Sequence, residues 1–534
     1  KSVINAPESA SSKLTNAAAR REYWLLTVIS TALSVGALIF YYHQGAILLY
    51  GDAVAHIHIA RRVFDSRTPG LFQLGTVWLP LPHLLDIPFI VNDRLWQTGL
   101  GASVPSMIAY VVGTLGVFRL VRGLASRVAA WIAALIYALN PNLLYMQSTA
   151  MGESLYLALF VWSAVFFAEF VRLARDDPEQ AGKSLKKCGL AVSAAMLVRY
   201  DGWFLATVLA SSAVLLLWRL RPYAPQLRRG LINFLLLTGA TAAIFLLYNQ
   251  IAFNNALEFA NGPYSARAIQ QRSKTASMPS YPGENSPRDA TLQFLKVSRL
   301  NVAEGHLEFL LFNGAFIALL ASLYFAHRYL SWAVLWTPLP FYVLCIAWGS
   351  VPVYHPEWWP FSYYNVRYGL QLLPAVAVFA ALGCEFLTNF FRTRYVVAAA
   401  ALVIAASYYS VWHATPICLR EAQVNGKERM GLERQLAEML KTFPSSATFM
   451  MNCGAHPGAT QMAGIPLRRV LCESSNRLWK AALKQPARSA DYIIAFPGDE
   501  VARAVHDFPQ ELETVATIGT PSQPKALIYR STRR

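Results

Sequence analysis

Long apolar runs recur from Trp24 to Trp412, many of them near the roughly 20 residues that a helix needs to cross a bilayer. The runs are continuous rather than alternating, which selects helices over a barrel. Of the 534 residues, 55% are hydrophobic and only 14% charged, against about 25% charged in soluble proteins. The chain therefore reads as an α-helical polytopic membrane protein. The polar residues that interrupt the runs carry most of the remaining information.

The net charge of +17 would suit nucleic acid were it not for its distribution. The basic residues fall in short loops between apolar runs: Arg119, Arg122 and Arg127; Arg172, Arg175, Lys183, Lys186 and Lys187; Arg219, Arg221, Arg228 and Arg229; then Arg328, Arg392 and Arg394. With Lys13, Arg20 and Arg21 they form the positive-inside pattern and place those loops in the cytoplasm. No nucleic-acid partner is expected. The polar, Ser/Ala-rich segment 1–22 is expected to be a disordered cytoplasmic N-terminus. The run Trp24–Tyr42 is long and aromatic and no small-residue cleavage site follows it, so it reads as a signal-anchor.

Counting runs against basic loops gives about 11 spans over residues 23–412. They are expected near 24–42, 103–121, 128–146, 154–172, two short helices within 188–220 that meet at Arg199-Tyr200-Asp201-Gly202, 231–250, 306–326, 331–348, 367–388 and 395–412. Parity then puts three loops, 43–102, 251–305 and 349–366, on the extracytoplasmic side together with the C-terminus. Residues 419–534 have the composition of a soluble extracytoplasmic α/β domain. A helical pattern over 425–443 precedes strand-like stretches at 448–451, 470–472, 492–496, 514–518 and 526–529. That domain has no glycine-rich phosphate fingerprint, so no nucleotide is expected there. Cys453 and Cys472 are the first choice for a disulfide in that compartment.

The ionisable residues of interest gather on the outer face. Asp52 opens the first loop, in Tyr50-Gly51-Asp52-Ala53-Val54-Ala55-His56, ahead of an amphipathic stretch that suits an interfacial helix. It either caps that helix or serves as a base at the membrane boundary. Glu153 sits where the 154–172 span begins and would complement a helix N-terminus. Arg199 and Asp201 occupy the corner between the two short helices, and Arg367 opens the 367–388 span. Ionisable groups at such positions are costly and carry a functional prior. His56, four residues after Asp52, can share its face. His56 and His58 point to different faces of a helix and make a poor metal pair. Trp358 and Trp359 suit either an aromatic belt or a platform for a sugar. The loop 261–289, with Arg267, Arg272, Lys274 and Arg288, suits a basic lid or an ordinary loop.

Four stretches together resemble the GT-C membrane glycosyltransferases of the protein O-mannosyltransferase and aminoarabinose-transferase superfamily. They are the Asp52 loop followed by Gly70–Leu81; Asn140-Pro141-Asn142-Leu143-Leu144 running into Met151-Gly152-Glu153; Arg199-Tyr200-Asp201-Gly202; and Arg367-Tyr368 followed by Leu372-Leu373-Pro374. The resemblance spans residues 24–412. It implies inverting transfer of a sugar from a polyprenyl-phosphate donor to a lipid, glycan or protein acceptor, on the outer face of a bacterial inner or plasma membrane. By that resemblance Asp52 is the general base and Arg367 and Arg199 hold the donor phosphate. Glu153, His56, Asp201, Tyr368, Trp358 and Trp359 shape the pocket. Many relatives carry an acid beside the first one, where this chain has Ala53, which argues against a paired-acid metal site on that loop. No cofactor is implied and a divalent metal is left open. The main rival is a transporter or lipid-linked-sugar flippase using the same outer cavity; the other is a membrane-anchored sensor or assembly factor.

Overall fold

The computed structural model describes residues 10–75, 77–220, 224–275, 277–475 and 477–533. Residues 1–9 of the N-terminal segment, Thr76 of the Gly70–Leu81 stretch and Arg221 of the inner basic set lie outside the described residues. The chain opens with α1 (Ala10–His43), followed in the first long loop by α2 (Gly51–Arg62), α3 (Pro80–Ile90) and α4 (Asp93–Thr98). Next come α5 (Leu100–Arg122), α6 (Arg127–Ala138), α7 (Pro141–Met146), α8 (Glu153–Leu173), α9 (Pro178–Met196), α10 (Asp201–Arg219) and α11 (Ala224–Phe253). The second long loop holds α12 (Glu258–Asn261), α13 (Ala266–Ser273) and α14 (Pro287–Leu300). Beyond it stand α15 (Glu308–Phe325), α16 (Pro338–Trp348), α17 (Leu373–Leu387), α18 (Thr393–His413) and α19 (Ile417–Lys441).

Among the described residues nine helices are long and apolar enough to cross a membrane, and Arg127–Ala138 is apolar but shorter. The difference from the expected eleven has two causes. The expected span 128–146 is divided. Asn140 caps α7 by accepting from Leu143 N at 2.9 Å, and Pro141 stands at its first turn. The other cause is α9, whose first half carries Lys183, Lys186 and Lys187 and so dilutes its apolar character. The helices pack as one body, most extensively α8 against α9, α9 against α11 and α5 against α8.

The C-terminal part is built on a five-stranded sheet of order β2-β1-β3-β5-β4. Its strands are β1 (Phe449–Met451), β2 (Val470–Leu471), β3 (Tyr492–Ala495), β4 (Leu512–Ile518) and β5 (Ala526–Ser531). β1 pairs in parallel with β2 and β3, while β5 pairs antiparallel with β3 and β4. One face of the sheet, with Phe449, Met451, Ile494 and Ile528, packs on Leu432, Leu436 and Leu440 of α19. The earlier turns of α19 pack elsewhere: Ile417, Cys418, Leu419, Ala422 and Met430 join the core of the helical body. A single helix thus belongs to both parts, and the packing changes hands along it.

The α/β part docks on the first long loop through a buried carboxylate. Asp65 accepts from the backbone N–H groups of Leu467 and Arg468, each at 3.3 Å, from Arg468 Nη1 at 3.1 Å and from Arg61 Nε at 2.9 Å. Gln461 Nε2 adds a bond to the Trp96 carbonyl at 2.8 Å. Two segments that the sequence separates by four hundred residues are held as one surface. In the second long loop, Lys274 pairs with Glu284 at 3.1 Å and Arg272 donates to the Pro263 carbonyl at 2.6 Å.

Candidate active site

Four chain segments bring carboxylates and guanidinium groups together beneath the start of α2. The corner between α9 and α10 presents Arg199 and Asp201. Gly202 permits that corner, since a Cβ there would lie 2.6 Å from Ala195 C and Met196 N. The first residue of α8 is Glu153, where its charge complements the helix dipole. Arg367 lies in the 3₁₀ segment Val366–Leu372 that leads into α17. A knot of asparagines holds that segment beside α19. Asn301 Nδ2 donates to the Val366 carbonyl at 2.8 Å. Asn140 and Asn142 donate to the Asn301 carbonyl at 2.8 and 3.2 Å, and Asn142 Oδ1 accepts from Cys418 N at 2.9 Å.

Arg367 is the hub. Its Nη2 donates to Asp52 Oδ2 at 2.7 Å, its Nη1 to Glu421 Oε1 at 3.1 Å, and its Nε lies 3.3 Å from Glu153 Oε1. Glu153 Oε1 is shared with Arg199 Nη1 at 3.0 Å. Arg199 continues the chain through Nε to Asp201 Oδ2 at 3.4 Å and through Nη2 to Tyr342 Oη at 2.8 Å; Tyr342 in turn donates to Asp201 Oδ2 at 2.6 Å. Tyr368 lies between the two guanidinium groups, its ring centroid 4.9 Å from that of Arg199 and 5.2 Å from that of Arg367. Glu421 also accepts from Tyr50 Oη at 2.9 Å and from Asn365 N at 2.6 Å.

Exposure separates the four carboxylates. The Asp52 side chain is 40% exposed, whereas those of Glu153 and Glu421 are 1% and that of Asp201 6%. Glu421 and Asp201 are buried with their partners around them, Glu153 Oε2 is buried without a hydrogen-bond partner among the described residues, and Asp52 alone of the four is exposed. Asp52 lies in the first turn of α2, yet its carboxylate hydrogen-bonds to Arg367 and caps nothing.

His56 lies one turn below Asp52 and is buried, with its Nδ1 2.8 Å from His83 Nε2 and its ring against Trp78 at 4.4 Å. Burial pushes its pKa down to about 4, so the ring is neutral at physiological pH. Trp358 and Trp359 stand apart from the ion-pair chain. Trp358 packs on His355 at 4.7 Å, and both indoles are partly exposed at the surface of their loop.

No protein-family model and no curated protein matches the sequence. Solved structures do. ArnT from Cupriavidus metallidurans bound to undecaprenyl phosphate superposes with a TM-score of 0.58 at 12% identity, covering 95% of this chain and 98% of that one. The same protein in its apo state gives 0.55 at 12% identity, covering 96% and 98%. The Archaeoglobus fulgidus oligosaccharyltransferase in the apo form gives 0.50 at 12% identity, covering 89% of this chain and 69% of that one. The chain has the GT-C glycosyltransferase fold.

Within this GT-C fold one partner of Arg367, Glu421, and one partner of Arg199, Tyr342, escaped the sequence reading. Glu421 lies past the last apolar run, in a stretch whose composition resembles a soluble domain. The only signal was an acid in the first turns of a helix with Cys418, Leu419 and Ala422 around it. Tyr342 sits inside a span and reads as one more aromatic residue in an apolar run. Neither position has a periodicity that would mark it as polar and buried.

Proposed function

We propose that this protein transfers a sugar from a polyprenyl-phosphate donor to a hydroxyl or similar nucleophile on a lipid, glycan or protein acceptor at the extracytoplasmic face. The observation that carries the reading is the 2.7 Å pair between Asp52 and Arg367. It sets the one exposed carboxylate of the cluster beside a guanidinium anchored from behind by Glu421 and Glu153. The fold shared with ArnT, whose structure holds undecaprenyl phosphate, supports a lipid-phosphate donor.

The acceptor oxygen attacks the anomeric carbon from the side opposite the phosphate. The new bond forms as the bond from that carbon to the phosphate oxygen breaks, so configuration inverts and the electron pair leaves on the lipid phosphate. The acceptor's proton passes to Asp52, whose Oδ2 is oriented by Arg367 while Oδ1 is bonded to no described residue. Each guanidinium has five N–H donors. Arg367 directs three of its nitrogens at carboxylates and keeps one N–H on each Nη for the departing phosphate. Arg199 has the same reserve. Because four carboxylates surround these two cations, the phosphate is held by directed N–H bonds more than by net charge. Tyr368 and His56 shape the pocket wall.

A transporter needs a second binding site on the opposite side. Among the described charges there, Arg119 pairs with Glu169 at 2.6 Å and Arg122 and Arg127 pair with Glu22. Arg119, Arg122 and Glu169 line a cavity of about 190 Å³, so the transfer assay is what separates the two readings. The decisive experiment is Asp52→Asn in purified protein, assayed against a panel of polyprenyl-phosphate sugars by mass spectrometry of the lipid product. The expected loss is about 10²- to 10⁴-fold in rate. Transfer at the wild-type rate by a folded variant would remove Asp52 as the base.

A further inference from the structure

The end of the C-terminal sheet that faces α2 carries a second group of donor atoms, which sugar transfer does not use. Cys453 follows β1 and Cys472 follows β2. Those strands are parallel neighbours in the register Phe449↔Val470 and Met450↔Leu471, so both thiols leave the same end of the sheet. Glu473 comes next. The two sulfurs and a Glu473 carboxylate oxygen all lie within 4.8 Å of one another. Cys453 N–H donates to Glu473 Oε2 at 2.9 Å, and Cys472 Sγ lies 3.2 Å from Ser474 Oγ.

A cavity of about 10 Å³ is lined by both cysteines and, from α2, by His58 and Arg62. This is room for roughly one water or one ion. His58 is 2% exposed, and its Nε2 has no hydrogen-bond partner among the described residues. A buried imidazole nitrogen without a partner calls for an explanation.

We propose that Cys453, Cys472 and Glu473 bind a divalent metal ion of the zinc class, with His58 Nε2 completing the set from across the cavity. Zinc takes sulfur at about 2.3 Å and nitrogen or oxygen at about 2.0–2.2 Å, so its ligand atoms stand roughly 3.5–3.8 Å apart. The cluster of three needs only a small contraction to reach that geometry, while His58, which stands outside that 4.8 Å group on the cavity wall, must swing inward to complete it. Thiolate donors select zinc over magnesium or calcium. Two thiolates and a carboxylate exceed the charge of a divalent ion by one, and the Arg62 guanidinium on the cavity wall offsets the excess. A Cys453–Cys472 disulfide would account for the two sulfurs alone and leave His58 Nε2 unpartnered; all six cysteines are free thiols here. Metal bound in this place ties the sheet to α2, the helix that carries Asp52.

The test uses the full chain purified in detergent under reducing conditions, with elemental analysis and no transfer assay. It therefore stands or falls separately from the proposed reaction. Wild type is expected to carry about one zinc per chain, falling at least tenfold in Cys453→Ser and Cys472→Ser and losing roughly tenfold in affinity in His58→Gln. Wild type alone gives a second readout, independent of whether the variants fold. After chelation, added Co²⁺ should produce a thiolate-to-cobalt charge-transfer band, and Zn²⁺ should protect both thiols from maleimide. No zinc with no cobalt band, or a Cys453–Cys472 disulfide in non-reduced peptides from native membranes, would overturn the proposal.

Discussion

At the scale of single residues, the ion-pair cluster sets like groups in unequal burial. Asp52 and Glu421 both hydrogen-bond Arg367, but one is 40% exposed and the other 1%. Glu421→Ala leaves the Arg367 guanidinium short of a buried counter-charge, a change worth about 3–5 kcal/mol. A lower thermal midpoint in detergent is expected, together with a rate loss beyond tenfold. An unchanged midpoint would show that Arg367 is already balanced without Glu421. His56 predicts a pH dependence. Burial holds its folded pKa at about 4, and that of His456 also at about 4, below the ordinary 6.5. The unfolded chain therefore binds more protons in this window. Stability complete above pH 6.5 should fall as the pH drops toward 4, by about 1.4 kcal/mol per unit for each group. Glu304, whose carboxyl burial pushes up to about 7, acts in the opposite sense. The check is therefore thermal unfolding from pH 7 to 4.5 of wild type against His56→Gln and His456→Gln. Each variant should lose part of the acid-side slope, and an unchanged slope would mean that water reaches both rings.

At the scale of elements, α19 is the piece that composition misplaced. Its polar residues read as the start of a soluble domain. Yet Glu421 reaches into the ion-pair chain, and Arg429 Nη2 donates to the carbonyls of Leu48 and Leu49 at 3.1 Å each. Gly426 makes the crossing possible, because a Cβ there would fall on the Leu49 carbonyl oxygen. Gly426→Val should push α19 away from Tyr50 and Asp52. A displacement of about 1 Å costs on the order of 10²-fold in a positioned site. The expected signature is a fall in kcat with little change in the amount of folded protein, and wild-type kcat would place the functional register of α2 beyond the influence of α19. By contrast, α10 falls where its apolar pattern predicts, while α9 begins at Pro178, ahead of the apolar stretch from Cys188, and carries three lysines in its first half. The division of 128–146 at Asn140-Pro141 rests on a cap and a proline that were visible but read as an outward continuation.

At the scale of the whole molecule, the α/β part and the helical body share α19 and meet again at Asp65. Asp65 is 3% exposed and takes two backbone and two arginine donors. Asp65→Ala removes all four bonds and leaves the buried Arg61 without one of its carboxylates. Limited proteolysis should then cut between the helical body and the sheet faster than in wild type, with a loss of about 3 kcal/mol or more. Equal protease resistance would show that α19 and the Gln461–Trp96 bond hold the two parts unaided.

Hydrophobic runs and basic loops were enough to establish a polytopic helical chain and the five strands of its C-terminal sheet, because periodicity and apolar length are local properties. Asp52, Glu153, Arg199, Asp201 and Arg367 stood out for the same reason: charge beside an apolar run is conspicuous in one dimension. Which of them touch was decided only by the tertiary structure. Arg367 meets Asp52 across 315 positions and Glu421 across 54, and no local pattern encodes the closure of such loops. The structure alone also ranked the carboxylates by exposure and set Cys453 and Cys472 against His58. Burial and juxtaposition are properties of packed elements, and they appear only when helices from distant segments close over one another.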